Sequence, residues 1–491
     1  MSFIATKVTP LAAAGAGGDT YFYAEYVQSS TPSNSGTGIT IASVDVDGDE
    51  NIYVGGNSQQ WKANDTTQNY FVLKINSTTG EIDWVNAAGY NNEGEEINGV
   101  IYDSYNDDIF TYGKAGGGNS NPFAVAGSTV FRRWTKDGTF KNLLLNGSPY
   151  PGTANNLVTN GYNKVAISPL DGDIFGIISG DEIRVWTYND STNTYSTPVE
   201  WKNSVSGYGN IDEIFWQSNS TGPIVCLDEN LSNGDQLNVA KLNNWATPQG
   251  GFTSLKEYGG SGVTGNRFST SGGVNSQLGR KNSSGHVLRT NSYNYASSAY
   301  VGYVTMNTDA SGRYVYCFSM SDKNNLQNGR ATWADGSNII CQARSYDGST
   351  NKQELWSVPE NSTSHNWRLS ISTTSPSSNI EPRALFKISE TRFGVLSMNE
   401  NDPSGRRRIE LLVLPMDGSV TGTFSRSNSN NVTISDTSSG FTLNNQAVGN
   451  ISEFTRSVTS PNSYSTGTMN VYTSNPESSF SVTLNETVTT L

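Results

Sequence analysis

A chain of 491 residues is long enough for several domains, or for one large architecture of β repeats. Hydrophobic residues make up only 34%, but 11% of the chain is aromatic and 50 residues are glycine, which excludes a disordered polar chain and fits short strands joined by many turns. The formal net charge of -13 opposes nucleic acid phosphates and anionic membrane surfaces, and no run of about 18 apolar residues is present to span a bilayer.

The first residues, "MSFIATKVTPLAAAGAGG", carry their lysine inside the apolar part rather than before it, unlike a secretory signal. Residues 1–40 are read as an N-terminal segment whose strand "YFYAEYV" closes the last unit of the fold. "IASVDVDGDENIYVGGNS" (41–58) follows, two alternating runs around an acidic turn. With "YFVLKIN", the turn "STTG" and "EIDWVN" it makes a four-stranded meander of about fifty residues, the size of one propeller blade.

The same grammar recurs along residues 41–426. A second copy runs from "INGVIYDSYNDDIFTYG" to "STVFRRWTKDGTFKNLLL", and a third is "NKVAISPLDGDIFGIISGDEIRVWTYNDSTNTYSTPVEW". "IDEIFWQSNSTGPIVCLD" opens a fourth, "VGYVTMNTDASGRYVYCFSMSD" with "NIICQARSYDGSTNKQELWSV" a fifth, and "PRALFKISETRFGVLSMNE" with "RRIELLVLPMDGSVTGTFS" a sixth. Tyr53, Phe110, Phe175, Tyr314 and Phe393 share an aromatic slot after the first turn, read as packing between blades. Gly80, Gly138, Gly348 and Gly418 mark a second turn. Residues 427–491 hold further strand-like pieces, expected either to complete the propeller as a blade shared by both termini or to form a small docked β module. The fold class is therefore all-β, a propeller of four-stranded antiparallel blades, seven expected within a range of six to eight.

Sites are sought on this frame. Asp45, Asp47 and Asp49 alternate like calcium ligands, but an EF-hand loop needs glycine at its sixth position and glutamate at its twelfth, where this chain has Glu50 and Gly56. An integrin-type propeller loop also fails, because Glu50 replaces its second glycine and its last aspartate falls on Tyr53. The stretch is read as an acidic hairpin turn. His286 and His365 sit in Ser/Asn-rich surroundings, and no GxSxG or HExxH is present. "GAGGD" (15–19) and "KAGGGNSN" (114–121) are loops rather than phosphate cradles. Cys226, Cys317 and Cys341 lie singly in apolar runs, as buried free thiols do. Arg406, Arg407 and Arg408 are read as a solvated hairpin tip. Glu95 with Glu96, and Asp212 with Glu213, are the carboxylates a propeller glycosidase would need, each read instead as a loop or strand-start residue. No catalytic, cofactor-binding or metal residue is assigned, and no cofactor is expected.

"VDVDGDENIYVGG" followed by "YFVLKINSTTGEIDWVN" resembles the bacterial β-propeller repeat D-x-x-G-N-x-Y-V-x-G, then F-V-x-K-x-x-x-x-G-x-x-x-W. Gly55, Phe71, Lys74, Gly80 and Trp84 match it, and two extra residues enlarge the first turn. A propeller rich in Asn, Ser and Tyr resembles structural proteins of tailed bacteriophages, including marine cyanophages. The resemblance implies a non-enzymatic virion protein of the tail or its host-contacting end, made in the host cytoplasm. It would be homo-oligomeric in the particle, with other tail proteins and a host-surface glycan or protein receptor as partners. A propeller glycosidase or lyase acting on host polysaccharide, and a bacterial surface adhesin, are the competing readings.

Overall fold

The computed structural model describes residues 19–28, 39–59, 68–89, 96–114, 129–146, 165–178, 182–196, 199–202, 211–216, 223–229, 236–242, 252–258, 267–268, 278–281, 287–295, 298–306, 312–320, 326–346, 351–362, 364–373, 380–399, 408–426, 431–439, 442–445, 451–454, 469–473, 478–479 and 484–491. Among them are seven antiparallel sheets of four to six strands and one two-stranded hairpin. The chain is a β-propeller.

The first blade spans residues 40–89: Thr40–Val46, Ile52–Gln59, Gln68–Ile75 and Ile82–Gly89 follow one another in space as in sequence. Blades two to six follow as residues 96–146, 165–202, 211–258, 267–320 and 326–373. The seventh takes Ile380–Lys387, Arg392–Asn399 and Arg408–Pro415, and its fourth strand is the N-terminal Phe22–Gln28. First strands of neighbouring blades touch around the centre, those of the seventh, first, second, third and fourth in succession.

Alternating side chains meet between blades. Phe71, Leu73 and Ile75 of the first blade pack with Phe386, Leu396 and Leu411 of the seventh. Tyr53, Tyr70 and Val72 pack with Ile97, Ile109 and Trp134 of the second. Phe110 and Phe131 pack with Ile174 and Trp186 of the third. The aromatic-slot residues Tyr53, Phe110, Phe175 and Phe393 are all fully buried on second strands, and Phe393 stacks on Trp367 of the sixth blade with ring centroids 6.0 Å apart.

An aromatic on the fourth strand of one blade also lies on a positive-φ glycine in the last turn of the next. Phe22 covers Gly80 (φ 73°), Trp84 covers Gly138 (φ 85°), and Trp367 covers Gly418 (φ 66°). A Cβ there would fall within 2.8 Å of Trp84 at Gly138 and 2.5 Å of Trp367 at Gly418, so these positions need glycine for space as well as for dihedral angle. Trp84 Nε1 donates to Lys136 O and Trp367 Nε1 to Met416 O, both at 3.0 Å.

The structure corrects the blade register at the fifth copy. The fifth sequence copy belongs to two blades: Ser298–Met306 and Gly312–Met320 are the last two strands of the fifth, whereas Asn338–Tyr346 and Asn351–Pro359 are the middle strands of the sixth. Tyr314 is thus on a fourth strand, and the first turn of the sixth blade is "ADGS" (334–337), which has no aromatic after it. Gly348 lies outside the described residues.

Among the described residues the tail forms no blade of its own and no docked module, although its last strand shares the seventh blade with the N-terminal strand, as expected. Asn431–Asp436 pairs with the outer strand of the sixth blade, Leu443–Asn445 with the fifth, Ile451–Phe454 with the fourth, Met469–Tyr472 with the second, Ser478–Ser479 with the first, and Leu484–Thr490 with the seventh. It is a belt, running backwards around the propeller and adding an outer strand to six of the seven blades among the described residues. The N-terminal strand is held between Arg408–Pro415 and the end of this belt, so both termini meet in the seventh blade.

Removing residues 484–491 bares one edge of the closing strand. We expect a loss of about 3 kcal/mol in unfolding free energy and faster amide exchange across Phe22–Gln28, read by denaturant titration and hydrogen exchange. Unchanged protection of those amides would show that the belt does not hold the closure.

Candidate functional site

The turns after the first and third strands gather on one face of the propeller, and ion pairs of the first three blades lie there. Asp45, Asp47 and Asp49 point to three different tasks. Asp45 Oδ2 accepts from the Tyr102 amide at 2.8 Å, on the first strand of the second blade. Asp47 is buried and accepts from the Asp49 amide (2.9 Å), the Asn51 amide (2.8 Å) and Tyr53 OH (2.8 Å). Burial and the Asp47 carboxylate together push the Tyr53 phenol up. Asp49 pairs with Lys136 at 2.7 Å. Among the described residues no group of three or more Asp, Glu, His or Cys side chains has an arrangement that could hold a metal ion.

Cations bridge the blades across this face. At the junction of the seventh and first blades, Arg392 pairs with Glu50, which has φ 67°, and donates to Ser77 O at 2.8 Å. At the next, Lys136 joins Asp49 to Asp107 (3.0 Å) beside the Tyr102 ring. Hydrogen bonds from Tyr102 and Lys136 hold the Asp107 carboxyl below its ordinary range, while burial raises the Tyr102 phenol to about 12.

The densest cluster lies between the second and third blades. Arg133 is fully buried, with Nη1 at 2.7 Å from Asp103 and 2.6 Å from Asp108, and its guanidinium lies 3.9 Å from the Tyr188 ring centre. Lys141 joins Asp108 to Asp190 on the hairpin Tyr188–Asn189/Thr194–Tyr195 of the third blade. Asn142 stands where Trp84 stands one blade earlier, four residues after the turn glycine, and bonds Tyr188 (3.1 Å) and Tyr195 (2.9 Å) instead of stacking. Burial raises the Asp108 carboxyl against the opposing pull of Arg133.

The third blade repeats this first turn without its cation. Residues 168–173 match 103–108, and Asp173 takes the place of Asp108. The residue facing the aromatic slot on the third strand is Arg133 opposite Phe110 but Val185 opposite Phe175. Asp173 is 6% exposed, its Oδ1 has no hydrogen-bond partner, and burial raises its carboxyl to about 6, helped by Asp171 and opposed by a hydrogen bond from Thr187.

The other sequence candidates are dispersed. Glu96 begins the second blade, paired in register with Lys114. Glu95, His286, Arg406, Arg407 and "GAGGD" up to Gly18 lie outside the described residues, as do the side chains of Asp212, Glu213, Cys226 and Cys317. His365 Nε2 lies 3.1 Å from Ser438 O. Cys341 is a buried free thiol pushed up by desolvation. Arg408 is not a solvated tip: it is buried in the seventh blade and pairs with the buried Glu25 at 2.7 Å. Arg133, Lys136, Lys141 and Arg392 are the residues sequence reasoning missed; the proximity of three of them to "TKDGT" is a local signal, but their partners lie on other blades or distant turns.

No protein-family model matches the chain, and no curated protein matches it in sequence. Among solved structures it is similar to the Dos1 propeller, with 12% identity, 80% of this chain and 94% of that one covered, and a TM-score of 0.43. It is also similar to a mutant of the NanB sialidase from Streptococcus pneumoniae, with 10% identity, 78% and 70% covered, and a TM-score of 0.41.

Two substitutions test the cluster. Arg133→Met leaves two buried carboxylates short of a cation and is expected to cost about 3 kcal/mol in denaturant unfolding. Asp173 behaves oppositely. Its folded-state affinity for a proton exceeds that of the unfolded chain, so its contribution is present below about pH 4 and is lost as pH rises through about 6. Asp173→Asn is therefore expected to gain about 2 kcal/mol at pH 7 and to flatten the stability profile between about pH 4 and 7. A variant with the parent's slope over that window contradicts the assignment.

Proposed function

We propose that this chain is a non-enzymatic structural propeller of a virion, built into the tail or its distal host-contacting part and present there in several copies. The observation that supports the reading most is the belt. The described strands of residues 431–490 cover the outer edges of blades already formed, and Val432, Ile434 and Leu443 extend the cores of those blades rather than building a separate one. Such edging resists strand exchange and shear, which suits a component built into a particle. The ion pairs of Lys136 with Asp49, Lys141 with Asp190 and Arg392 with Glu50 serve the same end, since they join blade to blade. Asn, Ser and Tyr in the loops would supply assembly and adhesion contacts, with rigid aromatic area and adaptable hydrogen bonding.

The test is the composition of purified tailed particles together with an assay on host polysaccharide. The chain is expected in the particles in fixed ratio to the other tail proteins, and polysaccharide incubated with the purified propeller is expected to keep its length. Absence from particles, with display on bacterial cells, would replace this reading by an adhesin. Depolymerisation lost on substitution of channel carboxylates would replace it by a glycosidase or lyase.

A further inference from the structure

Tyr105 and Leu170 are the exposed large hydrophobic residues among the described ones, at 53% and 56% exposure. They occupy the same position, third in the first turn, of the consecutive second and third blades. The two turns touch. Gly172 has φ 75°, and a Cβ on it would lie 2.9 Å from Tyr105 Cδ1 and 2.6 Å from Asn106 Nδ2. The Tyr105 ring is thus laid on the backbone of the neighbouring turn rather than extended into solvent, and an ordered exposed ring costs a partner little entropy on binding.

The charged residues of the two turns themselves, 103–108 and 168–173, are all acidic. Asp107, Asp171, Asp173 and Asp190 lie on the same two blades. Asp107 and Asp190 are neutralised by Lys136 and Lys141, but Asp171 accepts only the Asp173 amide (3.2 Å) and has no cation among the described residues. Beneath it, Asp173 carries the unpartnered Oδ1, nine-tenths buried, at the position whose counterpart Asp108 is held by Arg133 and Lys141. The molecule itself shows what satisfies such a turn: a guanidinium between carboxylates with a tyrosine ring against its face, as Arg133 sits by Asp103, Asp108 and Tyr188.

We infer that the first turns of the second and third blades form a docking surface for a basic segment of a partner protein. An arginine or lysine of that segment pairs with Asp171, and its apolar neighbours rest on Tyr105 and Leu170. The net charge of -13 steers such a partner toward the propeller, while the apolar strip fixes where it lands. This deepens the assembly reading above and rests on it only for the partner's identity; the surface is tested without particles.

The probe is a fluorescein-labelled peptide alternating arginine and leucine, titrated with the full chain and followed by anisotropy. Binding is expected at about 50 mM salt and should weaken severalfold at about 500 mM, as screened charge pairing requires. The double variant Tyr105→Ser with Leu170→Ser, and separately Asp171→Asn, are each expected to weaken it about tenfold while leaving thermal unfolding unchanged. Asp417→Asn, on the same face of the seventh blade, is expected to have no effect. A peptide that does not bind, equal affinity for all variants, or equal loss in Asp417→Asn would overturn the assignment. A chain that binds the peptide at this strip but is missing from purified particles would retain the surface and refute only the virion reading.

Discussion

A β-sheet of four strands has two edges, and this propeller depends on how those edges are satisfied. An unpaired strand edge presents a row of amides and carbonyls that will pair with another chain. At the inner edge of the second blade the first blade supplies side chains: Asn57 accepts from the Ile97 amide at 2.7 Å and returns a bond to its carbonyl, Ser43 accepts from Val100, and Asp45 accepts from Tyr102. At the outer edges the belt supplies backbone. Short polar side chains suffice at the centre, where strands converge, and a whole strand is used at the rim, where they diverge.

The same division explains the buried charges. Glu25 with Arg408, Glu410 with Arg426, and Glu354 with Arg368 are buried pairs in the sixth and seventh blades. Such pairs contribute little net stability, because desolvation offsets their attraction, but breaking one strands a charge and so penalises any wrong register. Their places fit that role. Arg408 and Glu25 join strands brought together only at ring closure, and Arg426 ties the start of the belt to Glu410. At the other end of the belt the Leu491 amide donates to Tyr21 O at 2.8 Å. Closure is thus specified by paired charges near the belt's start and by backbone at its end.

Much of this architecture was legible because the hairpin is a local object. Strand, Asp/Gly turn and aromatic slot lie within some twenty residues, and the last-turn glycines Gly80, Gly138 and Gly418 can be read by the positive φ they permit. The fifth copy misled because "YVTMNTDASGRYVYC" has the same local grammar as a first hairpin, although it is a last one; nothing within a hairpin states its place in the blade. The belt was illegible for another reason. Its strands are two to seven residues long and pair with outer edges through main-chain bonds, which carry no side-chain code. The site shows the same limit. The acidic turns were visible, but the cations that answer them stand 25 to 342 residues away.

That pattern bears on how the aspartates of the first turn should be read. A carboxylate in a hairpin turn can cap local amides, pair with a cation on a later strand of its own blade or on a neighbouring blade, or stay unanswered, and the residue that decides is opposite, on the third strand or beyond it. Asp47 takes the first course, Asp108 the second and Asp173 neither in full. Asp173 follows from one exchange, since Val185 holds the place of Arg133 and the carboxylate beside it keeps its burial but loses its counter-charge. A repeat that spends turn carboxylates on joining the seventh blade to the first and the first to the second, and leaves Asp173 short of a cation in the turn that also carries one of the two exposed apolar residues, has used one turn both to build the ring and to mark a place on its surface.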